Sequence, residues 1–414
     1  MNLKKLLFPL IIGLVSAQKI NLVGELYLGE IIAVAYVIFN ISRLQLSKME
    51  RSFVIFALIW ACAQFVSDIF NRTELTDALK GIFAPLVFIT TFIFLINYIR
   101  NKPERLPFLL LGFVLGGLVR LLIFPTSYFL YNPWKWGLGS SLLGLYIIYF
   151  SFFAKKKNNI ILFMVLMLFF AVSLYFDGRS MAVFPLISAL MYIKFHTNKV
   201  SSFSTRLSGK FSGLKILLIV LPVLFVVNAA ASAFFSSPIV LSNFSSASAA
   251  KYRAQATGAY GILLGGRSEI LVSGQAFLDK PLLGHGSWAQ DKSGYLDAYS
   301  ILRYRLGYSL REDGQYEDIE SELLIPAHSY LMGALVWAGL LGGLFWLVTL
   351  NGAFKVFIKN INFLPLYFYI GMTGFVWSVF FSPFGASGRW GASIFLASLF
   401  SYVNFLKTNR IDVK

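Results

Sequence analysis

Long apolar runs, broken at short intervals by basic clusters or Pro/Gly turns, dominate this chain from end to end. A helix needs roughly 20 apolar residues to cross the hydrocarbon core of a bilayer. On that ruler the pattern predicts about twelve spans, over 6–22, 26–41, 53–70, 79–99, 106–124, 137–154, 160–176, 180–195, 214–235, 326–350, 363–381 and 390–406. The expected fold class is an all-α polytopic membrane protein. The first segment has a second reading: Lys4 and Lys5, the apolar stretch 6–17 and the small residues Val15-Ser16-Ala17 also have the form of a secretory signal. The chain divides into 1–235 (spans one to nine), a polar segment 236–325, and 326–414 (spans ten to twelve).

Composition supports the membrane class. The chain is 57% hydrophobic and only 13% charged, whereas a soluble domain is nearer one-quarter charged. Its 42 Phe, 20 Tyr and 8 Trp suit lipid-facing helices with interfacial aromatic belts and argue against an outer-membrane barrel with a polar lumen. The single cysteine, Cys62, excludes an intrachain disulfide and any Cys-based zinc or iron–sulfur site.

The net charge of +17 would suggest nucleic acid in a soluble protein, but in a membrane protein it is first a matter of topology. With the loops assigned alternately to the two sides, Lys4, Lys5, Arg43, Lys48, Arg51, Arg100, Lys102, Arg105, Lys155, Lys156, Lys157, Lys194, Lys199, Arg206, Lys210, Lys215, Lys355, Lys359, Lys407, Arg410 and Lys414 all fall on one side. The acids there are Glu50, Glu104 and Asp412. That side is cytoplasmic by the positive-inside rule, so both termini are expected inside and 236–325 outside. The excess accounts for the whole net charge, and no nucleic-acid partner is expected.

Ionisable groups within spans are costly and mark functional candidates. Glu30, Asp68 and Arg120 fall near the outer ends of their spans, Arg179 and Arg389 in short outer loops, and His328 at the outer start of span ten. They suggest a polar cavity near the outer leaflet; the plainer alternative pairs Asp68 or Glu30 with Arg120 as structural ion pairs. Among the three histidines, His328 is the candidate general base, because imidazole can accept a proton near neutral pH. His285, between two glycines, is a weaker candidate, and the helix C-terminus accounts for His196. Arg179, in Asp177-Gly178-Arg179-Ser180, and Arg267, in Gly265-Gly266-Arg267-Ser268-Glu269, are candidate diphosphate ligands, because guanidinium grips phosphate oxygens bidentately. Arg120 and Arg389 are further candidate phosphate or sugar contacts. The acidic run Glu312, Asp313, Glu317, Asp318, Glu320, Glu322 reads as a solvated face. No His-x-x-x-His or paired-Asp motif is present, so neither metal nor other cofactor is expected.

Taken in order, Asp177-Gly178-Arg179-Ser180, Gly266-Arg267-Ser268-Glu269, Pro281-Leu282-Leu283-Gly284-His285-Gly286 and Ala327-His328-Ser329-Tyr330-Leu331 resemble the signature of the O-antigen ligase and polymerase family. Ser329 stands where that family often carries Asn. The resemblance implies a GT-C-like membrane glycosyltransferase of the bacterial inner membrane, its active site facing the periplasm. It would move a glycan from an undecaprenyl-diphosphate-linked donor to a hydroxyl of another glycan, the lipid A core or a protein. His328 would be the catalytic base, and Arg179 and Arg267 would hold the diphosphate. The alternatives are a lipid-linked oligosaccharide flippase, in which midplane charges are expected, and a peptidoglycan-type lipid-linked polymerase relying on a loop carboxylate such as Asp291 or Asp297.

Overall fold

The computed structural model describes residues 3–22, 24–100, 102–155, 158–197, 229, 232–242, 244, 246–256, 261, 269–306 and 324–409. Among these residues it is an all-α bundle apart from one short hairpin. In chain order, α1 (Leu3–Ser16) leads into β1 (Lys19–Asn21) and β2 (Glu25–Tyr27), followed by α2 (Leu28–Asn40), α3 (Lys48–Asn71), α4 (Leu75–Ile99), α5 (Arg105–Ile123) and the short α6 (Ser127–Tyr131). Next come α7 (Gly139–Ile148), flanked by π-helical turns, α8 (Asn159–Tyr175) and α9 (Arg179–Thr197). The polar segment contributes α10 (Pro238–Leu241), α11 (Ser246–Ala256), α12 (Glu269–Asp279) and α13 (Tyr295–Arg305), and the chain closes with α14 (Tyr330–Asn360), α15 (Leu366–Phe381) and α16 (Ala386–Asn409). The other apolar segments predicted from the sequence each hold a helix; most of 214–235 lies outside the described residues, as do Arg267 and the acidic run.

Among the described residues, five helical stretches are long and apolar enough to cross a membrane: 48–71, 75–99, 105–123, 134–153 and 330–363. Shorter apolar helices occupy 6–16, 159–175 and 366–381. The first segment differs from expectation in form. Its helix stops at Ser16, and the next residues pair as the hairpin, with Lys19 opposite Tyr27 and Asn21 opposite Glu25. Helix starts follow local chemistry: Ser47 and Glu50 form a capping box for α3, and Asn158 caps α8 by accepting from the N–H groups of Ile160 and Ile161.

Small residues and aromatics build the interior. α1 packs on α5 so closely that a Cβ on Gly13, Gly112 or Gly116 would lie 2.2, 2.0 or 2.4 Å from a facing backbone carbonyl, the approach that small residues four apart permit between apolar helices. The central core joins Trp60, Phe88, Phe345, Trp346, Phe384 and Tyr330; Trp60 stacks on Phe345 at 5.1 Å and Tyr330 meets Trp346 at 4.8 Å. One end of the bundle is tied by Glu50, which receives hydrogen bonds from Arg100 and Asn404 and so joins α3, α4 and α16. The hairpin, the α3–α4 turn, the starts of α14 and α16 and the described polar segment gather at the other, called here the site end.

Candidate functional site

The segment 281–287 packs against a break in α14. That helix breaks at Gly339 (φ +66°, ψ −159°), a left-handed conformation that favours glycine, and a Cβ there would stand 2.2 Å from the Leu282 carbonyl oxygen. A break inside an apolar bundle leaves backbone groups that must find other partners. The loop supplies them: the N–H groups of His285 and Gly286 donate to the carbonyls of Val336 (2.7 Å) and Trp337 (3.2 Å), and the Pro281 carbonyl accepts from Leu340 N–H (2.8 Å). The loop is held in turn by α3. Asp68 accepts from the Ser287 N–H (2.6 Å) and hydroxyl (2.9 Å), and Gln64 donates to the same hydroxyl (2.8 Å). Asn71 donates to the Gly284 carbonyl at 3.1 Å. Asp68 is therefore the anchor of a polar clamp and has Ser287 and Gln64, not Arg120, as partners.

His285 completes the clamp. Its Nε2 lies 2.7 Å from the Ala276 carbonyl on α12, so the neutral ring donates through that nitrogen. Burial pushes its pKa below the ordinary histidine value, only partly offset by the Ala276 hydrogen bond.

His328 stands differently. It sits in the extended lead-in to α14, one residue ahead of the N-cap Ser329, whose hydroxyl accepts from Met332 N–H at 2.7 Å. Asn and Ser serve equally as N-caps, which accounts physically for Ser329 at a position where the resembled family often has Asn. Nδ1 of His328 lies 2.8 Å from the Glu269 carboxylate, with the imidazole 52% exposed and the carboxylate 18%. The cleft around the pair is lined by Ile270, Ser273, Ser329, Met332, Phe380 and Phe381. Ser273, fully buried on α12, donates to the Pro326 carbonyl and fixes the helix carrying Glu269 against the segment carrying His328. Arg267 precedes Glu269 by two residues and lies outside the described residues.

Arg179 opens α9 and places its guanidinium 4.8 Å from the ring centroid of Tyr252, a fully buried side chain of α11. The Tyr252 hydroxyl donates to Asp177 (2.7 Å), and the other carboxylate oxygen accepts from Lys135 (2.7 Å). Burial and the Asp177 carboxylate both push the Tyr252 pKa up. The two centres are linked through aromatics: Phe184 of α9 contacts Trp377 of α15 at 4.8 Å, and Trp377 contacts Phe381 of the His328 cleft at 4.5 Å.

Arg389 is buried and bidentate on Glu30, through Nε (2.9 Å) and Nη2 (3.2 Å), while Nη2 also donates to the Glu25 carbonyl (2.9 Å). Glu30 thus pairs with Arg389 rather than with Arg120. Arg120 ends α5 within electrostatic reach of the Tyr27 hydroxyl, as do Glu25, Glu30 and Arg389. Arg120 and Arg389 therefore share a cluster around the hairpin. Asp291 accepts from the N–H groups of Tyr295 (2.9 Å) and Leu296 (2.7 Å), a cap for α13, and Asp297 sits in the first turn of that helix.

The sequence pointed to His328 and Arg179 but assigned nothing to Glu269, Tyr252 or Asp177. The only signal for Glu269 was its place in the Arg267 motif. Comparison of the chain with protein-family models, curated proteins and solved structures finds no match.

Proposed function

We propose that this membrane protein is an inverting, metal-independent glycosyltransferase that moves a glycan from an undecaprenyl-diphosphate-linked donor to a hydroxyl acceptor, as an O-antigen or surface-polysaccharide ligase or polymerase does. In this reading it resides in the bacterial inner membrane with both termini cytoplasmic, and the site end faces the periplasm. The observation that supports it most is the approach of His328 to Glu269 at 2.8 Å, because it joins the Arg267 motif to the histidine motif in one exposed cleft.

The chemistry balances with groups the chain owns. Nε2 of His328 takes the proton of the acceptor hydroxyl as its oxygen bonds to the anomeric carbon from the face opposite the diphosphate. The bond from that carbon to the diphosphate oxygen breaks, and its electron pair leaves with the diphosphate. Arg179 and Arg267 meet that charge. The contact of Arg179 with the Tyr252 ring limits its freedom and suits a phosphate clamp, whereas Arg389 is already engaged by Glu30.

The test is a deletion strain complemented with His328→Ala at normal membrane abundance. Long-chain glycan should fall roughly 100-fold or more, the lower range for loss of a general base; full-length glycan at wild-type levels would sink the reading. The band pattern separates its two forms. Lipid-linked polymer accumulating beside bare core indicates a ligase, and core bearing a single repeat indicates a polymerase.

A further inference from the structure

We propose that Glu269 is the positioning residue for His328: its carboxylate holds the Nδ1 proton, fixes the ring in the Nδ1-protonated tautomer, and stabilises the imidazolium formed when Nε2 takes a proton. The role in transfer rests on the glycosyltransferase reading; the pairing itself does not.

Three observations carry it. The 2.8 Å separation joins Nδ1, not Nε2, to the carboxylate, and the nitrogen that carries the proton is decided by the hydrogen bond it makes. In the neutral ring the lone pair is then on Nε2. Second, Glu269 is held for this task from outside the pair. It starts α12, and that helix is tied to the segment leading into His328 by the Ser273–Pro326 hydrogen bond and to the clamp by His285 on Ala276. Third, the other described side chains lining the cleft, Ile270 and Ser273 from α12, Ser329 and Met332 from α14, and Phe380 and Phe381 from α15, carry no charge at neutral pH. Glu269 is therefore the group in that lining that answers the charge appearing on His328. The apolar walls leave the pair less screened than it would be in water.

The second clamp-side histidine supplies an internal control. The chain has only three histidines, His196, His285 and His328, so the reaction of each with diethyl pyrocarbonate can be followed by peptide mass spectrometry in the purified full-length protein. The reagent acylates the neutral ring, and the pH midpoint of each site reports its protonation without any substrate. Glu269→Gln should lower the His328 midpoint by about one pH unit, the lower end of what an adjacent opposite charge supplies, while the His285 midpoint stays in place and shows that α12 is still seated. Glu269→Asp, which keeps the charge on a shorter arm, should leave the midpoint above that of the Gln variant. A His328 midpoint unmoved by Glu269→Gln, or identical in the Gln and Asp variants, overturns the proposal. In the complemented deletion strain, Glu269→Gln should reduce long-chain glycan at normal abundance and Glu269→Asp should restore part of it. Full glycan in Glu269→Gln alongside loss in His328→Ala overturns the positioning role while leaving the transferase reading standing. Full glycan in His328→Ala removes that reading, and the midpoint shift then decides the pairing separately.

Discussion

His285 and His328 lie at the same end of the bundle and both touch the elements around α12, yet their partners give them opposite properties. His285 donates Nε2–H to a backbone carbonyl, which cannot compensate a full positive charge, and burial holds it neutral. His328 is turned the other way round, with Nδ1 on a carboxylate and half of its ring exposed. The same residue type is a brace in one place and, in the proposed reading, a proton acceptor in the other. Buried polar groups paired inside the protein hold structure together, and a polar pair in an exposed cleft is placed to meet a ligand. The closed group also includes Glu30–Arg389 and Asp68–Ser287; the open group is His328–Glu269.

The strongest challenge to this division is Arg389→Ala. Removing one partner leaves Glu30 buried and uncompensated, which costs about 3–5 kcal/mol, so the thermal unfolding midpoint in detergent should fall steeply, while Glu30→Gln combined with Arg389→Met should recover much of the loss. A stable Arg389→Ala protein lacking glycan transfer would move this pair into the functional group. Asp68→Ala comes next. It strips the Ser287 N–H and hydroxyl of their acceptor, at roughly 1–3 kcal/mol per stranded buried group, and the clamp should loosen. Faster amide exchange at 284–288 would register it, and unchanged exchange there would mean that Asp68 does not anchor the loop.

The smallest effect sharpens the contrast between the two histidines. His285→Gln should cost about 1 kcal/mol at pH 7.5, the worth of one neutral hydrogen bond. Its pH dependence has a definite sign. With the folded pKa below the unfolded value of about 6.5, the unfolded chain binds the proton more readily. Wild-type stability should therefore decline as pH falls from about 6.5 towards the folded pKa, and the Gln variant, which cannot take that proton, should lose less. The gap between the two unfolding midpoints should narrow on acidification; a constant gap would show that His285 does not titrate differently in the folded protein.

Much of this was legible in the chain, for a physical reason that varies with range. The helices at 48–71, 75–99 and 330–360 follow from uninterrupted apolar runs, since a backbone in hydrocarbon must satisfy its hydrogen bonds within the segment. Ser47 and Glu50 could be read as a cap because a cap is a matter of three residues. The choice between Arg120 and Arg389 as the partner of Glu30 could not be read, because both arginines sit at the same depth and only helix packing brings one of them to bonding distance. The clamp was equally hidden. Nothing local marks Gly339 as a break that residues 281–286 repair, since the two halves are complementary only in three dimensions.

The sequence by itself determined the solvent of this protein, the positions of its helices, the asymmetry of its charge and the residue types that can handle a phosphate or a proton, because composition and spacing act over a few turns of chain. Tertiary structure alone decided what each polar residue does. Burial and partner choice are set by segments far apart in the chain, and they made His285 a strut, Asp68 an anchor and Arg389 a buried counter-ion, while bringing Glu269 to His328.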